Sequence, residues 1–331
     1  YGEADLEELG KPGGVSSAQL ENKVAALNAE LKKQSVNKVM KKAVKTLEKD
    51  HLPRLKKYEE QEQVLAGRNS YSKTDPDASN LRMKEDRAAQ KPLARPAYNA
   101  QIGTEGQFIV GYSVHQQADD TTCLIPHMEQ QTFPKDVKPK NGVGDAGYGS
   151  EENYAWLEKN GIKNFLQYNT FYKEQHPPRK PELVEQARFQ SYNFPYDPLK
   201  DVFTCPAEHP MTYRETKPYK TSNGYHSERR FYECDHCSTC PLKAKCTRAK
   251  GNRRIQFSPE LHRYRQQAKQ NLTSEQGVAL RKKRSIEPET VFGDIKFNRG
   301  FRRFSLRGLK KVETEWGIIS IAHNMRKLAV Q

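Results

Sequence analysis

The chain has 331 residues, enough for two or three domains, with 56 Lys and Arg against 41 Asp and Glu and a formal net charge of +15. Apolar residues make up 35% and charged residues 29%, so extended polar segments around a modest core are expected. The charge favours nucleic acid as the partner over an anionic membrane surface, and no apolar run reaches transmembrane length or reads as a signal peptide, which predicts a cytoplasmic protein. The chain opens on Tyr1 rather than Met, so an upstream part could be missing.

Residues 1–66 are rich in Glu, Lys, Leu and Ala. Leu20, Val24, Leu27 and Leu31 recur at helical spacing, with Ser16 and Ser17 available as caps. A second helix is expected over Ser35 to Lys49, and Pro53 opens a third over Arg54 to Ala66. The three form a helical arm, and a structural extension is its simplest reading. Past Gly67, residues 68–78 read as a short strand ending in a turn, and 79–95 as a polar loop. Residues 97–103 and 107–115 are strand candidates, with Thr104-Glu105-Gly106 as a hairpin turn. A helix over Thr121 to Gln131 follows. Then come a strand end and turn at 143–150, a helix from Glu151 to Asn160 capped by Gly161, and a strand over 163–168. This order predicts an α/β layer with a mixed sheet over 67–168.

Residues 169–278 break the rhythm and read as an inserted, basic, cysteine-rich subdomain. Cys234-Asp-His-Cys237-Ser-Thr-Cys240 supplies CxxC twice over, and Cys246 follows closely. Thiolates that close can wrap a tetrahedral zinc, with Cys205, His226 and His236 as further donors. An iron–sulfur cluster is the rival. The flanking cations (among them Arg229, Arg230, Lys243, Lys245, Arg253 and Arg254) suit a nucleic-acid module better than an electron carrier. Free thiols are the plainer alternative, and Cys123, alone in a helix, reads as a small core residue.

From Ser274 the chain turns helical and basic, and residues 315–329 are apolar enough for a buried closing helix. The stretch from Arg281 to Lys311 holds eleven Lys or Arg against three acidic residues, punctuated by Phe292, Phe297, Phe301 and Phe304. Such density attracts a polyanion, and a carboxylate within it suits a hard metal ion acting on that polyanion. On a helix from Pro288 to Phe297, Glu289 and Lys296 lie seven residues apart and share a face. Two acidic sites precede them. Asp75 and Asp77 stand in a turn after the first strand candidate, and Asp145 ends a strand before a glycine-rich turn, where open α/β sheets place their sites.

Taken in order, Thr74-Asp-Pro-Asp-Ala78, Tyr98-Asn-Ala-Gln101, Asp145-Ala-Gly-Tyr-Gly149, Ile286 to Lys296, Gly300 to Gly308 and Asn324-Met-Arg-Lys-Leu328 resemble a bacterial insertion-sequence transposase of the DDE class. The resemblance runs from about residue 67 to the end. It implies an RNase H-like mixed sheet with flanking helices, interrupted by the cysteine-rich insertion and completed by a helical part over 279–331. It implies Asp145 and Glu289 as two of three carboxylates holding two Mg2+ ions, with Mn2+ as an alternative. Asp75 or Asp77 is the third, unless that ligand lies upstream of Tyr1, and Glu287 is a rival to Glu289. Relatives carry a Tyr, an Arg, the Glu and a Lys in series. Here Glu289 and Lys296 fall in register, Ser285 holds the Arg position with Arg284 beside it, and Lys282 holds the Tyr position. The implied partner is DNA, at transposon ends and target, bound by a homodimer in a synaptic complex at the nucleoid. Lys296, Arg302, Arg303 and Arg307 would grip the backbone. A zinc-stabilised DNA-binding protein that has lost catalysis is the alternative reading.

Overall fold

The computed structural model describes residues 15–33, 38–82, 93–131, 139–221 and 223–330. The chain divides into two compact units, Tyr1–Tyr98 and Asn99–Gln331.

The first unit holds α1 (Ser17–Lys33), α2 (Lys38–Thr46) and α3 (Leu52–Leu65), with a wide π turn over Leu47–His51 joining the last two. The predicted stripe is what packs: Leu20 and Val24 are buried with Val44 and Leu52, and Leu27, Leu31, Leu47 and Leu55 close around them. Ser17 donates its hydroxyl and its N–H to the Glu59 carboxylate, tying α1 to α3. Pro53 sits in the first turn of α3, where its missing N–H costs nothing. The strand expected over 68–78 is instead a loop. The Arg68 guanidinium donates to the carbonyls of Val64, Leu65, Pro76 and Asp77 and so folds the loop onto the end of α3. The loop expected over 79–95 begins and ends in strand: β1 (Ser79–Arg82) pairs antiparallel with β2 (Ala94–Ala97). Its middle, 83–92, lies outside the described residues.

The second unit opens on the hairpin of β3 (Asn99–Glu105) and β4 (Phe108–His115). Its two-residue turn is Gly106-Gln107, both left-handed with φ of 58° and 65°, later in the chain than the sequence suggested. Two left-handed residues match the twist of a tight hairpin. α4 (Leu124–Gln130) follows, then β5 (Asn141–Gly144), α5 (Glu151–Lys159) and β6 (Lys163–Leu166). β5 and β6 are parallel, so α5 is a crossover helix. Ser150 caps it by accepting from Asn153 N–H at 3.1 Å, and Gly161, at φ 68°, leads out of it. The fold is mixed α/β. Among the described residues the two strand pairs are separate ladders rather than one mixed sheet.

After α6 (Phe171–Gln175) and α7 (Pro181–Arg188), the stretch without clear period proves to be a five-stranded antiparallel sheet. Its strands are β7 (Tyr196–Asp197), β8 (Val202–Thr204), β9 (Pro210–Lys220), β10 (His226–Cys234) and β11 (Arg254–Phe257), in that spatial order, with α8 (Lys243–Cys246) before the last. Phe194, Phe203, Met211, Tyr232 and Ile255 form its core together with Cys205, Cys234 and Cys237. α9 (Pro259–Thr273) then returns to the α/β layer, burying Tyr264 against Tyr154 and Leu157, and Ala268 and Leu272 against Phe165 and Tyr168.

α10 (Glu275–Ile286), α11 (Pro288–Gly293), a π turn over Asp294–Asn298 and α12 (Leu309–Val330) complete the chain. α12 lies on β4. Gly317 allows this approach, because a Cβ there would meet the Tyr112 hydroxyl at 2.4 Å. Asn324 accepts from Ile109 N–H and donates to Ile109 carbonyl, both at 2.8 Å, and so pairs with β4 as a strand would. The closing helix is buried on one side through Val312, Trp316 and Ser320, but Ile318, Ile321, Met325 and Leu328 are exposed. No helix of the described residues is long and apolar enough to cross a membrane.

Candidate active site

Asp145 follows β5 directly, at the C-terminal edge of the parallel pair. Its carboxylate accepts from Gly147 N–H at 2.9 Å and caps a single 3-10 turn over Ala146–Tyr148. Gly147 has a second carboxylate beside it. A Cβ there would stand 3.0 Å from Asp145 Oδ1 and 3.2 Å from Asp120 Oδ2. Asp120, just past β4, is a residue the sequence reading missed. Its Oδ1 accepts from Asn99 Nδ2 at 2.8 Å and Gln101 Nε2 at 3.0 Å, both on β3. The signal was present in Asn99 and Gln101, two residues apart on one strand and so on one face, and in an Asp at a strand's end. Tyr148 closes this corner and donates to Gln101 Oε1. Burial raises its phenol well above the usual range, and the nearby Asp120 and Asp145 add to the shift.

Glu289 lies in the first turn of α11, its side chain 66% exposed and 3.9 Å from the Arg284 guanidinium. Arg284 therefore reaches the carboxylate although Ser285 holds the expected register. The helix runs on through Lys296, but its last turn is the π turn over Asp294–Asn298. A wider turn shifts the side-chain phase, so the simple two-turn alignment of Glu289 with Lys296 does not carry over. The Lys296 ammonium lies 4.9 Å from the Phe292 ring centre. Phe292 stacks on Trp316, whose indole N–H donates to Gln101 carbonyl at 3.2 Å. Packing thus runs from the helix of Glu289 to the strand that holds Asp120.

Glu287 has a different task. It is buried and accepts from Gly106 N–H at 3.0 Å and Gln107 N–H at 2.9 Å, stabilising the left-handed hairpin turn. Both oxygens are occupied there, which sets it apart from the exposed Glu289.

Arg302, Arg303 and Arg307 are exposed on an irregular loop leading into α12. The Glu315 carboxylate holds this loop by accepting from Ser305 and Leu306 N–H. Phe301 and Phe304 pack edge-on to each other and around Trp316. Most of the aromatics in the basic stretch thus anchor the loop, and Phe297 alone of the four is largely exposed.

Asp75 and Asp77 belong to the first unit. Asp75 is buried in its turn and accepts from the Tyr98 hydroxyl at 2.8 Å. Asp77 is half-buried, with its carbonyl accepting from Arg68.

Cys205, Cys234, Cys237, Cys240 and Cys246 line one cavity together with His209 and His236. His226 stands at the opposite end of β10 from Cys234, paired with Lys220. Cys123 is fully buried, as expected of a core residue. Among the described residues, no three His, Cys, Asp or Glu side chains stand in ready metal-binding arrangement.

Residues 204–329 match the family model of the transposase DDE domain. The chain is thereby supported as a DDE-class transposase. The DDE match begins at the end of β8 and ends within α12. It takes in the five cysteines from Cys205 to Cys246, Glu289, Lys296 and the basic loop, and leaves Asp75, Asp120, Cys123 and Asp145 outside. No curated protein and no solved structure matches the chain.

Proposed function

We propose that the chain cuts DNA and transfers strands at the ends of an insertion sequence, with Asp145 and Glu289 as two of its metal-binding carboxylates. The observation that carries this reading is the DDE match across Glu289, Lys296 and the basic loop. The position of Asp145 at the end of a parallel strand adds to it.

The donor set is carboxylate oxygen throughout, which suits a hard divalent ion. Asp145, Asp120 beside it and Glu289 are the candidates within the second unit. Two Mg2+ ions, or Mn2+, would supply activation of water or of a DNA 3′-hydroxyl and neutralise charge developing on phosphorus.

The protein's own groups do the rest. Arg284 orients Glu289. Lys296, Arg302, Arg303 and Arg307 bind phosphates along the duplex. The Asn99–Gln101–Asp120 hydrogen bonds fix one wall of the site. A homodimer would bring two transposon ends together.

The test is Mg2+-dependent cleavage of a terminal-repeat duplex. Asp145→Asn should abolish cleavage while the protein still binds the duplex. Cleavage by Asp145→Asn at the wild-type rate would remove Asp145 from the reaction.

A further inference from the structure

We propose that one zinc ion is held by Cys205, Cys237, Cys240 and Cys246, with Cys234 a buried thiol beside the site and outside its coordination. The reading starts from the cavity these residues line, which measures about 20 Å³. That is room for a single water-sized body. All the cysteines are free thiols.

Three segments meet at the cavity. Cys205 ends β8 in a tight turn, where its carbonyl accepts from Glu208 N–H at 2.9 Å and its own N–H donates to His209 carbonyl at 2.9 Å. Glu208 holds a left-handed φ of 63° to make that turn. Cys237 and Cys240 follow β10 at CxxC spacing, and Cys246 closes α8.

The surroundings are set for negative charge on sulfur. Arg253 N–H donates to Cys237 Sγ at 3.3 Å, and the Arg253 guanidinium donates to Cys246 carbonyl at 3.0 Å. The Arg253 Nε is buried with no acceptor. Buried donors are rarely left unmatched. Four thiolates around Zn2+ carry a net charge of 2−, and Arg253 is placed beside the sulfurs to meet it. On binding, each of the four thiols gives up its proton to solvent and donates a sulfur lone pair, with no change of oxidation state. The protonated thiols line the cavity without closing on one point, and coordination would draw them together.

Cys234 lines the same cavity and hydrogen-bonds Cys237, and its partners and depth of burial set it apart from the ligands. Cys246 is close enough to Cys205, Cys237 and Cys240 to interact electrostatically with each. Cys234 interacts in this way with Cys205 and Cys237 and also accepts from His236 N–H. It ends β10 in register with Met211 and, at 2% exposed against 8% for Cys205 and 7% for Cys237, is the most deeply buried of the five. The sequence alone favoured Cys234 as a ligand through its CxxC spacing. The fold puts Cys205 in its place.

None of the candidate carboxylates lines this cavity, so its metal content is read independently of whether the chain cuts DNA. The experiment is elemental analysis of the full chain, purified reduced and without chelator. Wild type should carry about one zinc per chain, since one tetrahedral site uses four ligands. Cys234→Ala should keep it, and Cys205→Ser and Cys240→Ser should each lose it. X-ray absorption of wild-type protein, which needs no variant to fold, should show four sulfurs near 2.3 Å. Zinc lost from Cys234→Ala but kept by Cys205→Ser would overturn the ligand set. So would three sulfurs and a nitrogen, which would bring in His209 or His236. Iron with sulfide, or no metal in freshly reduced protein, would overturn the site itself.

Discussion

The five-stranded sheet and the basic loop before α12 are both rich in cations, yet they use them differently. In the sheet most of the strand cations are matched internally. Arg214 pairs with Asp235, Arg230 with Asp201, Arg254 with Glu215 and Glu233, and Lys245 with Glu185 on α7. Arg229 lies over the Tyr219 ring at 3.5 Å. In the loop, Arg302, Arg303 and Arg307 are exposed, and among the described residues no ion pair holds them. A count of Lys and Arg scores the two regions alike. The structure leaves cations for a polyanion chiefly in the loop and makes the sheet a self-contained support. The comparison also extends to what should undo each region: metal removal for the sheet, and loss of aromatic packing or acid for the α/β layer.

The largest expected effect is on the loop's anchor. Trp316 is buried and gathers Phe292, Phe301 and Phe304. Trp316→Ala should cost about 3–5 kcal/mol in denaturant unfolding. It should weaken DNA binding and leave zinc content unchanged. Loss of zinc together with the loop would mean that the two regions are not separate.

Acid comes next. His127 is buried beneath β4, and Ser113 hydrogen-bonds both it and His115 at 2.7 Å. Burial, with a smaller contribution from His115, lowers the His127 pKa from 6.5 to about 4. Its neutral form is therefore favoured by the fold. Below about pH 6.5 the unfolded chain takes up a proton that the folded chain refuses until about pH 4. His127 alone should remove roughly 3 kcal/mol of stability across that window and contribute no further loss below it. Urea unfolding at a series of pH values measures this, and His127→Asn should flatten the profile.

The paired glutamates sharpen the comparison within a single turn of chain. Glu287→Gln loses a charged acceptor from the hairpin turn and should cost about 1–3 kcal/mol. Glu289→Gln, on an exposed side chain, should change stability by less than about 0.5 kcal/mol. Equal effects would contradict the division of roles between them.

The smallest effect concerns the free cations. Arg303→Ala should weaken binding to terminal-repeat and scrambled duplexes by similar factors. It should also flatten the log–log salt slope by about one. Lost preference for the repeat with non-specific binding kept would make Arg303 a base reader. The same change at Arg254, already paired in the sheet, should leave the slope unaltered.

Much of this was legible where the physics is local. Leu20, Val24, Leu27 and Leu31 announce α1 because a single stripe packs it. Ser150 and Gly161 mark the ends of α5 because capping needs only near neighbours. What was missed depends on distant partners. The loop over 68–78 reads as a strand until Arg68 is seen to bind four carbonyls. The five-stranded sheet hides behind Pro218 and its charged residues, since Pro218 sits inside β9 opposite Glu228. At the site, Asp145 and Glu289 could be picked out by position and by resemblance. Asp120 was missed, because the hint in Asn99 and Gln101 becomes specific only through their pairing with it across the fold. The aromatics that punctuate the basic stretch carried no assigned role in the sequence. Most of them serve Trp316.

The central claim is that Glu289 acts in DNA cleavage rather than in holding the fold. The measurement is cleavage of a terminal-repeat duplex by Glu289→Gln with Mg2+ present, run beside a binding titration on the same DNA. Wild-type binding with cleavage lost is the predicted result, since the amide keeps the size of the side chain and loses the charge a hard metal needs. Cleavage near the wild-type rate would contradict the account.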